Sequence, residues 1–161
     1  MKKYEKLYLI GIAKEQYERT HSTGTSLNNR AGVLLGFLVT VLALLLPVLS
    51  GDSLKSPILA AAVVLDTLAI FCFIGVLFTR TYLDPPNVHK LNQEYDAIKN
   101  KFYDIVLSTF IKAISLADRV NKGKATLFKV GLYFFLAEVF LLAVYALKPR
   151  NIVELLLYFI F

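Results

Sequence analysis

AGVLLGFLVTVLALLLPVL, Ala31 to Leu49, contains no charged side chain, and Thr40 is its only polar one. A helix rises about 1.5 Å per residue, so a run of this length crosses a hydrocarbon core of about 30 Å. A water-exposed helix would need a polar face, and this stretch has none. It is therefore read as a first transmembrane span, 31–49. Working outward, Ile58 to Thr79 is a second apolar run interrupted by Asp66, and Ala125 to Leu147 is a third, with Lys129 near its start and Glu138 within it. The expected fold class is an all-α integral membrane protein with three transmembrane helices, 31–49, 58–79 and 125–147. The whole chain agrees: 57% of its 161 residues are hydrophobic and its mean hydropathy is +0.58, above an ordinary soluble domain.

The connecting segments are polar. Residues 1–29 are expected to form an amphipathic helix over Tyr4 to Arg19, lying on the bilayer or on a partner, followed by a Ser-, Thr-, Gly- and Asn-containing linker from Thr20 to Asn29. SGDSLKSP, Ser50 to Pro57, is a turn, and Pro85-Pro86 closes the polar stretch after the second span. Between the second and third spans, 87–122 is expected to be a long cytoplasmic helix. Leu91, Tyr95, Ile98, Phe102 and Ile105 recur there at spacings of four and three, which puts them on one packing face. The tail, 151–161, is apolar but too short to cross a bilayer as a helix, and is expected to be an interfacial anchor. The first apolar run begins at Ala31 and lacks a small-residue cleavage site, so the first span is expected to be retained.

Charge sets the orientation. Lys2, Lys3, Lys6, Lys14, Arg19 and Arg30 precede the first span, and Arg80, Lys90, Lys99, Lys101, Lys112, Arg119, Lys122 and Lys124 follow the second. Basic residues are retained on the cytoplasmic face, so both segments belong inside, with the amino terminus cytoplasmic and the chain multi-pass in the cell (inner) membrane. The net charge of +6 is explained by this flanking pattern and by anionic lipid, and nucleic acid is not an expected partner. Lys99 and Lys101, with Arg119, Lys122 and Lys124, form clusters that meet lipid phosphate or an anionic small molecule.

Two carboxylates stand out, because an acid within a span costs roughly several kcal/mol unless it is protonated, paired or beside water. Asp66 and Glu138 each lie about nine residues from the outer end of their span, roughly 13 Å along a helix. At a shared depth they either face each other and share a proton or cation, or repeat round an oligomer as an acidic ring favouring cations; plain interhelical hydrogen bonding is the third possibility. Gly32 and Gly36 make a small-residue pair at four-residue spacing that permits close helix packing. Pro47 kinks or ends the first span, and Thr40 returns a hydrogen bond to its own backbone. A single cysteine, Cys72, excludes an intrachain disulfide, and His21 and His89 have no ligand-spaced partner, so no metal site, no cofactor and no catalytic residue is expected. No phosphate loop or nucleophile elbow is present, and the chain is not read as an enzyme.

Asn29-Arg30-Ala31 at the head of the first span, the short outer turn, a second span ending in Arg80, the long cytoplasmic helix, and Leu116-Ala117-Asp118-Arg119-Val120-Asn121-Lys122 leading into the third span together resemble the transmembrane effectors of Pycsar antiphage systems and related small defence membrane modules. The resemblance covers about Asn28 to Leu147. It implies a membrane effector for antiviral defence, held quiet until a cyclic nucleotide binds, which then oligomerises or rearranges and compromises the inner membrane. The family's acidic-x-basic-Ala start is here Asn28-Asn29-Arg30-Ala31, without the acid, and no separate nucleotide-binding domain is visible. The expected function is a homo-oligomeric pore-forming or membrane-disrupting protein gated through its cytoplasmic helices. The alternative is a non-conducting scaffold or accessory subunit that anchors the basic helical segment to a partner.

Overall fold

The computed structural model describes residues 3–49, 56–79 and 101–147. The turn at 50–55, the segment 80–100 with Lys99, His89 and most of the expected packing stripe, and the tail 148–161 lie outside the described residues. Within them the protein is all-helical: α1 is Lys3–Leu49, α2 is Pro57–Phe78 and α3 is Phe102–Ala146. Each contains a stretch long and apolar enough to cross a membrane.

The chain divides into two compact units. In the first, residues 3–29 of α1 pack against the start of α3. Ala13 and Tyr17 meet Val106, Phe110, Ala113 and Ile114, with Ile10, Phe102 and Leu107 at the margin. Tyr17 packs edge-on against Phe110, with ring centroids 6.1 Å apart. Lys6 bridges Asp104 at 2.7 Å, and Asn121 Nδ2 donates to the Thr20 carbonyl at 2.8 Å. Residue numbers rise together on the two sides of these contacts, so the helices run parallel here. The amphipathic amino-terminal helix thus finds its partner in its own chain.

The second unit contains the apolar lengths of all three helices. Its core is Ala31, Leu38, Ala69, Phe73 and Val76, with Leu34, Leu35, Leu127, Phe128, Phe134 and Phe135 packed round it. Phe73 meets Phe128 edge-on at 5.5 Å, and Phe37 meets Phe135 at 5.8 Å. Contacts of α2 with α3 pair rising with falling numbers (Asp66 with Glu138, Gly75 with Leu127), so α2 runs antiparallel to α3. That is the direction an in–out–in–out chain with three spans requires.

One period governs the packing. Buried positions in α2 are Leu59, Ala62, Asp66, Ala69, Phe73 and Val76, alternating three and four apart. Along α1, Tyr17, Gly24, Ala31 and Leu38 are buried at intervals of seven, and along α3 Phe110, Ala117, Lys124, Gly131 and Glu138 are too. This 3.5-residue repeat is the spacing of knobs-into-holes packing.

In the second unit the buried seam mixes small residues (Ala31, Ala62, Ala69, Gly131) and two acids with Leu38, Leu59, Phe73 and Val76, while many large apolar residues, Phe37, Leu44, Phe71, Tyr133, Leu136 and Phe140 among them, are exposed. Small residues and acids within the seam, with this many large apolar residues left outside it, suit helices whose surroundings are lipid, because association there depends on close approach and not on hiding oil from water. Three apolar helices with this distribution make the chain a membrane protein.

The structure differs from the sequence expectation at residues 20–29, where helix replaces the linker and α1 is continuous. Thr23 and Thr25 hydroxyls bond the carbonyls of Arg19 and His21 one turn back, so these residues are accommodated inside the helix. Gly24 is buried on the seam within the helix and makes no turn. In the same way α3 runs through Gly123 from the extramembrane segment into the third apolar stretch without interruption. Pro47 sits inside α1, which ends shortly after it at Leu49. Thr40 Oγ donates to the Gly36 carbonyl at 2.9 Å, as its position in an apolar helix demands.

Candidate intramembrane acid pair and boundary cleft

Asp66 sits midway along α2 at a seam position between Ala62 and Ala69. Glu138 occupies the equivalent phase of α3, seven residues beyond Gly131. The helical period therefore turns both side chains inward, and antiparallel packing brings them to the same level. Asp66 is 0% exposed and Glu138 1%. Their carboxyl groups face each other closely enough to interact directly. Neither Asp66 oxygen, nor Glu138 Oε2, finds a hydrogen-bond partner of good geometry among the described residues. Two ionised carboxylates in such a place would repel each other and lack solvation, so the pair calls for a proton or a cation between them. Of the arrangements that the spacing leaves open, the structure favours facing carboxyls within one chain over acids turned outward.

The close approach of α2 and α3 beside this pair depends on Gly131. A Cβ there would stand 3.0 Å from Cys72 Cβ and 3.1 Å from Phe73 Cζ. Sequence reasoning missed Gly131, because a lone glycine in an apolar run has no partner at four-residue spacing. Its signal was the seven-residue step to Glu138. Gly32 and Gly36 behave otherwise: both are exposed, with nothing within 4 Å of an added Cβ. They pack against no other helix among the described residues, since the seam of α1 passes through Ala31 and Leu38.

The basic residues separate. Lys101, Arg119 and Lys122 are exposed. Lys124 is not: it is 0% exposed and its Nζ donates to Asn28 Oδ1 at 2.9 Å. The expectation that it meets lipid or an anion with its neighbours is corrected by the helical phase, which places it on the seam with Ala117 and Gly131. Burial pushes its ammonium below the ordinary lysine range. His21 stacks on Tyr17 with centroids 6.2 Å apart. No cluster of three metal-ligating side chains occurs among the described residues.

A second feature lies in the first unit. Arg19, Thr20, Thr23 and Leu27 of α1 and Asp118, Asn121, Lys122 and Ala125 of α3 line a cleft of about 330 Å³. Sequence analysis singled out Lys122 but had no means of joining it to Arg19, about a hundred residues earlier, because that neighbourhood arises only from the parallel packing of α1 on α3. Comparison with protein-family models, with curated proteins and with solved structures finds no match to this chain.

Proposed function

We propose that this chain is a homo-oligomeric pore-forming or membrane-disrupting protein of the cell (inner) membrane, with its amino terminus cytoplasmic, and that the buried acid pair is the element it uses to pass cations. The observation that carries this reading is the facing Asp66 and Glu138 carboxyls inside an apolar seam, where among the described residues no donor outside the pair reaches either Asp66 oxygen. An intramembrane acid pair is costly to keep, and such groups usually mark an ion or proton path. In the packed arrangement the pair holds a proton and the seam is closed. Separation of α2 from α3 exposes two acids at one depth, and repetition round an oligomer turns them into a cation-favouring ring. The exposed Gly32 and Gly36 face of α1 offers a close contact for a second copy. The paired extramembrane helices, continuous with α1 and α3, are the means by which a ligand would bias the seam. A cyclic nucleotide is the ligand class that the resemblance to Pycsar effectors implies, and antiviral defence the setting.

Protein reconstituted in liposomes is expected to pass potassium in preference to chloride, and the double variant D66N/E138Q to lose that preference. Unchanged selectivity in the double variant refutes the role of the acids. The second reading, a non-conducting scaffold, is favoured by one observation: both acids are enclosed within a single chain. A monomer in detergent that conducts under no condition supports it over the pore.

A further inference from the structure

The cleft between α1 and α3 in the first unit combines features that surface charge alone does not supply. Asn121 is 8% exposed. Its Nδ2 is committed to the Thr20 carbonyl, which fixes the orientation of the amide, since the flipped form would set oxygen against oxygen. Its Oδ1 lacks a hydrogen-bond partner. A buried amide oxygen lining an open cleft asks for a donor from whatever occupies that cleft. Around it stand two cations, Arg19 and Lys122, and one acid, Asp118. Glu15, one turn back, bonds the Arg19 guanidinium at 2.7 Å and holds it in place. That contact engages part of a group that has five N–H donors.

Position along the helices adds a second constraint. Both helices pass from the charged end of the cleft toward their apolar stretches. Leu27 and Ala125 line its far end, Ala125 being where the third apolar run begins. The cleft therefore lies where water gives way to lipid, charged on one side and apolar on the other. Its volume is at the small end of ligand cavities.

We propose that this cleft binds a phosphate ester that carries its own hydroxyl or amine donor: the phosphate oxygens take Arg19 and Lys122, and the donor meets Asn121 Oδ1 and Asp118. Hydroxylated anionic glycerophospholipid headgroups have this chemistry, and so do soluble phosphate esters of polyols. Water would satisfy the amide oxygen, but it gives no reason for two cations to flank it. A phosphocholine headgroup has no N–H or O–H to give Asn121 Oδ1, which distinguishes it from a hydroxylated phosphate ester.

Native mass spectrometry of the full-length protein in detergent tests the assignment, with phosphatidylglycerol, phosphatidylcholine and glycerol 3-phosphate as probes. Phosphatidylglycerol is expected to bind at least about tenfold tighter than phosphatidylcholine, and K122Q and N121L each to weaken it about tenfold. K112Q, an exposed lysine elsewhere on α3, is expected to change nothing. Because Asn121 is buried, R19Q and K122Q at the exposed rim keep the test valid should N121L misfold. Glycerol 3-phosphate that competes with the lipid and shows the same sensitivity to K122Q identifies a soluble ester as ligand; failure to compete identifies the lipid. Equal binding of both lipids, with no effect of R19Q or K122Q on any probe, overturns the proposal.

Discussion

Replacing Gly131 with alanine adds one methyl group at the tightest point of the α2–α3 packing. The new Cβ would stand 3.0 Å from Cys72 Cβ and 3.1 and 3.2 Å from two carbons of the Phe73 ring. Ordinary carbon contacts begin near 3.5 Å, so the neighbours must retreat by about half an ångström. Cys72 Cβ is tied to the backbone, and Phe73 is fully buried, so neither yields by rotating a flexible tip. Overpacking of this kind costs about 1–3 kcal/mol, against a helix-propensity gain of up to about 1 kcal/mol for Gly to Ala. Gly75 is the control: its added Cβ meets only Leu127 Cδ1 at 3.3 Å, the mobile end of a side chain. Gly123 meets nothing within 4 Å. Thermal unfolding in detergent is expected to rank the variants G123A highest, G75A near wild type and G131A lowest, with Tm lowered by about 2–10 °C. A Tm for G131A equal to or above that of G75A refutes the account of the seam.

Phe73→Ala removes the central ring of the second unit and is expected to lower stability by about 2 kcal/mol or more, measured by the same unfolding curves. Asn28→Leu removes one hydrogen-bond acceptor of the buried Lys124 ammonium and is expected to cost about 1–3 kcal/mol, whereas Lys124→Met, which removes the charge as well, costs less. Since burial lowers the Lys124 pKa below its unfolded value of 10.5, the folded state holds fewer protons between the two values. Stability of the wild type relative to Lys124→Met should therefore rise as pH climbs through that window toward 10.5, and a flat difference counts against the burial. The Lys6–Asp104 bridge is partly exposed, so a double-mutant cycle on it is expected to give about 0.2–1 kcal/mol, shrinking in high salt.

The three apolar runs were plain in the sequence because lipid demands length and absence of charge, and both can be counted. Asp66 and Glu138 stood out for the same reason: a single acid in a greasy run violates its surroundings. What remained illegible was phase. Ser, Thr and Gly at residues 20–29 read as a linker by local preference, yet the helix runs through them packed on α3, with Thr20 and Asn28 bonded to Asn121 and Lys124 and the Thr23 and Thr25 hydroxyls satisfied one turn back. Lys124 looked like one more boundary lysine until its seven-residue step to Gly131 placed it inside. Gly32 and Gly36 matched a packing motif, whereas Gly131, which matches none, makes the close contact. A 3.5-residue repeat built from Ala, Gly, Lys and Glu is invisible to a search for apolar stripes. The Arg19–Lys122 cleft needed the parallel pairing of two helices distant in sequence.

The large exposed apolar side chains, Phe71, Tyr133 and Phe140 among them, require lipid as their surroundings. Washing membranes from expressing cells with alkaline carbonate tests this most directly. The protein should remain entirely in the sedimented membrane and be released only by detergent; recovery in the carbonate supernatant would contradict it.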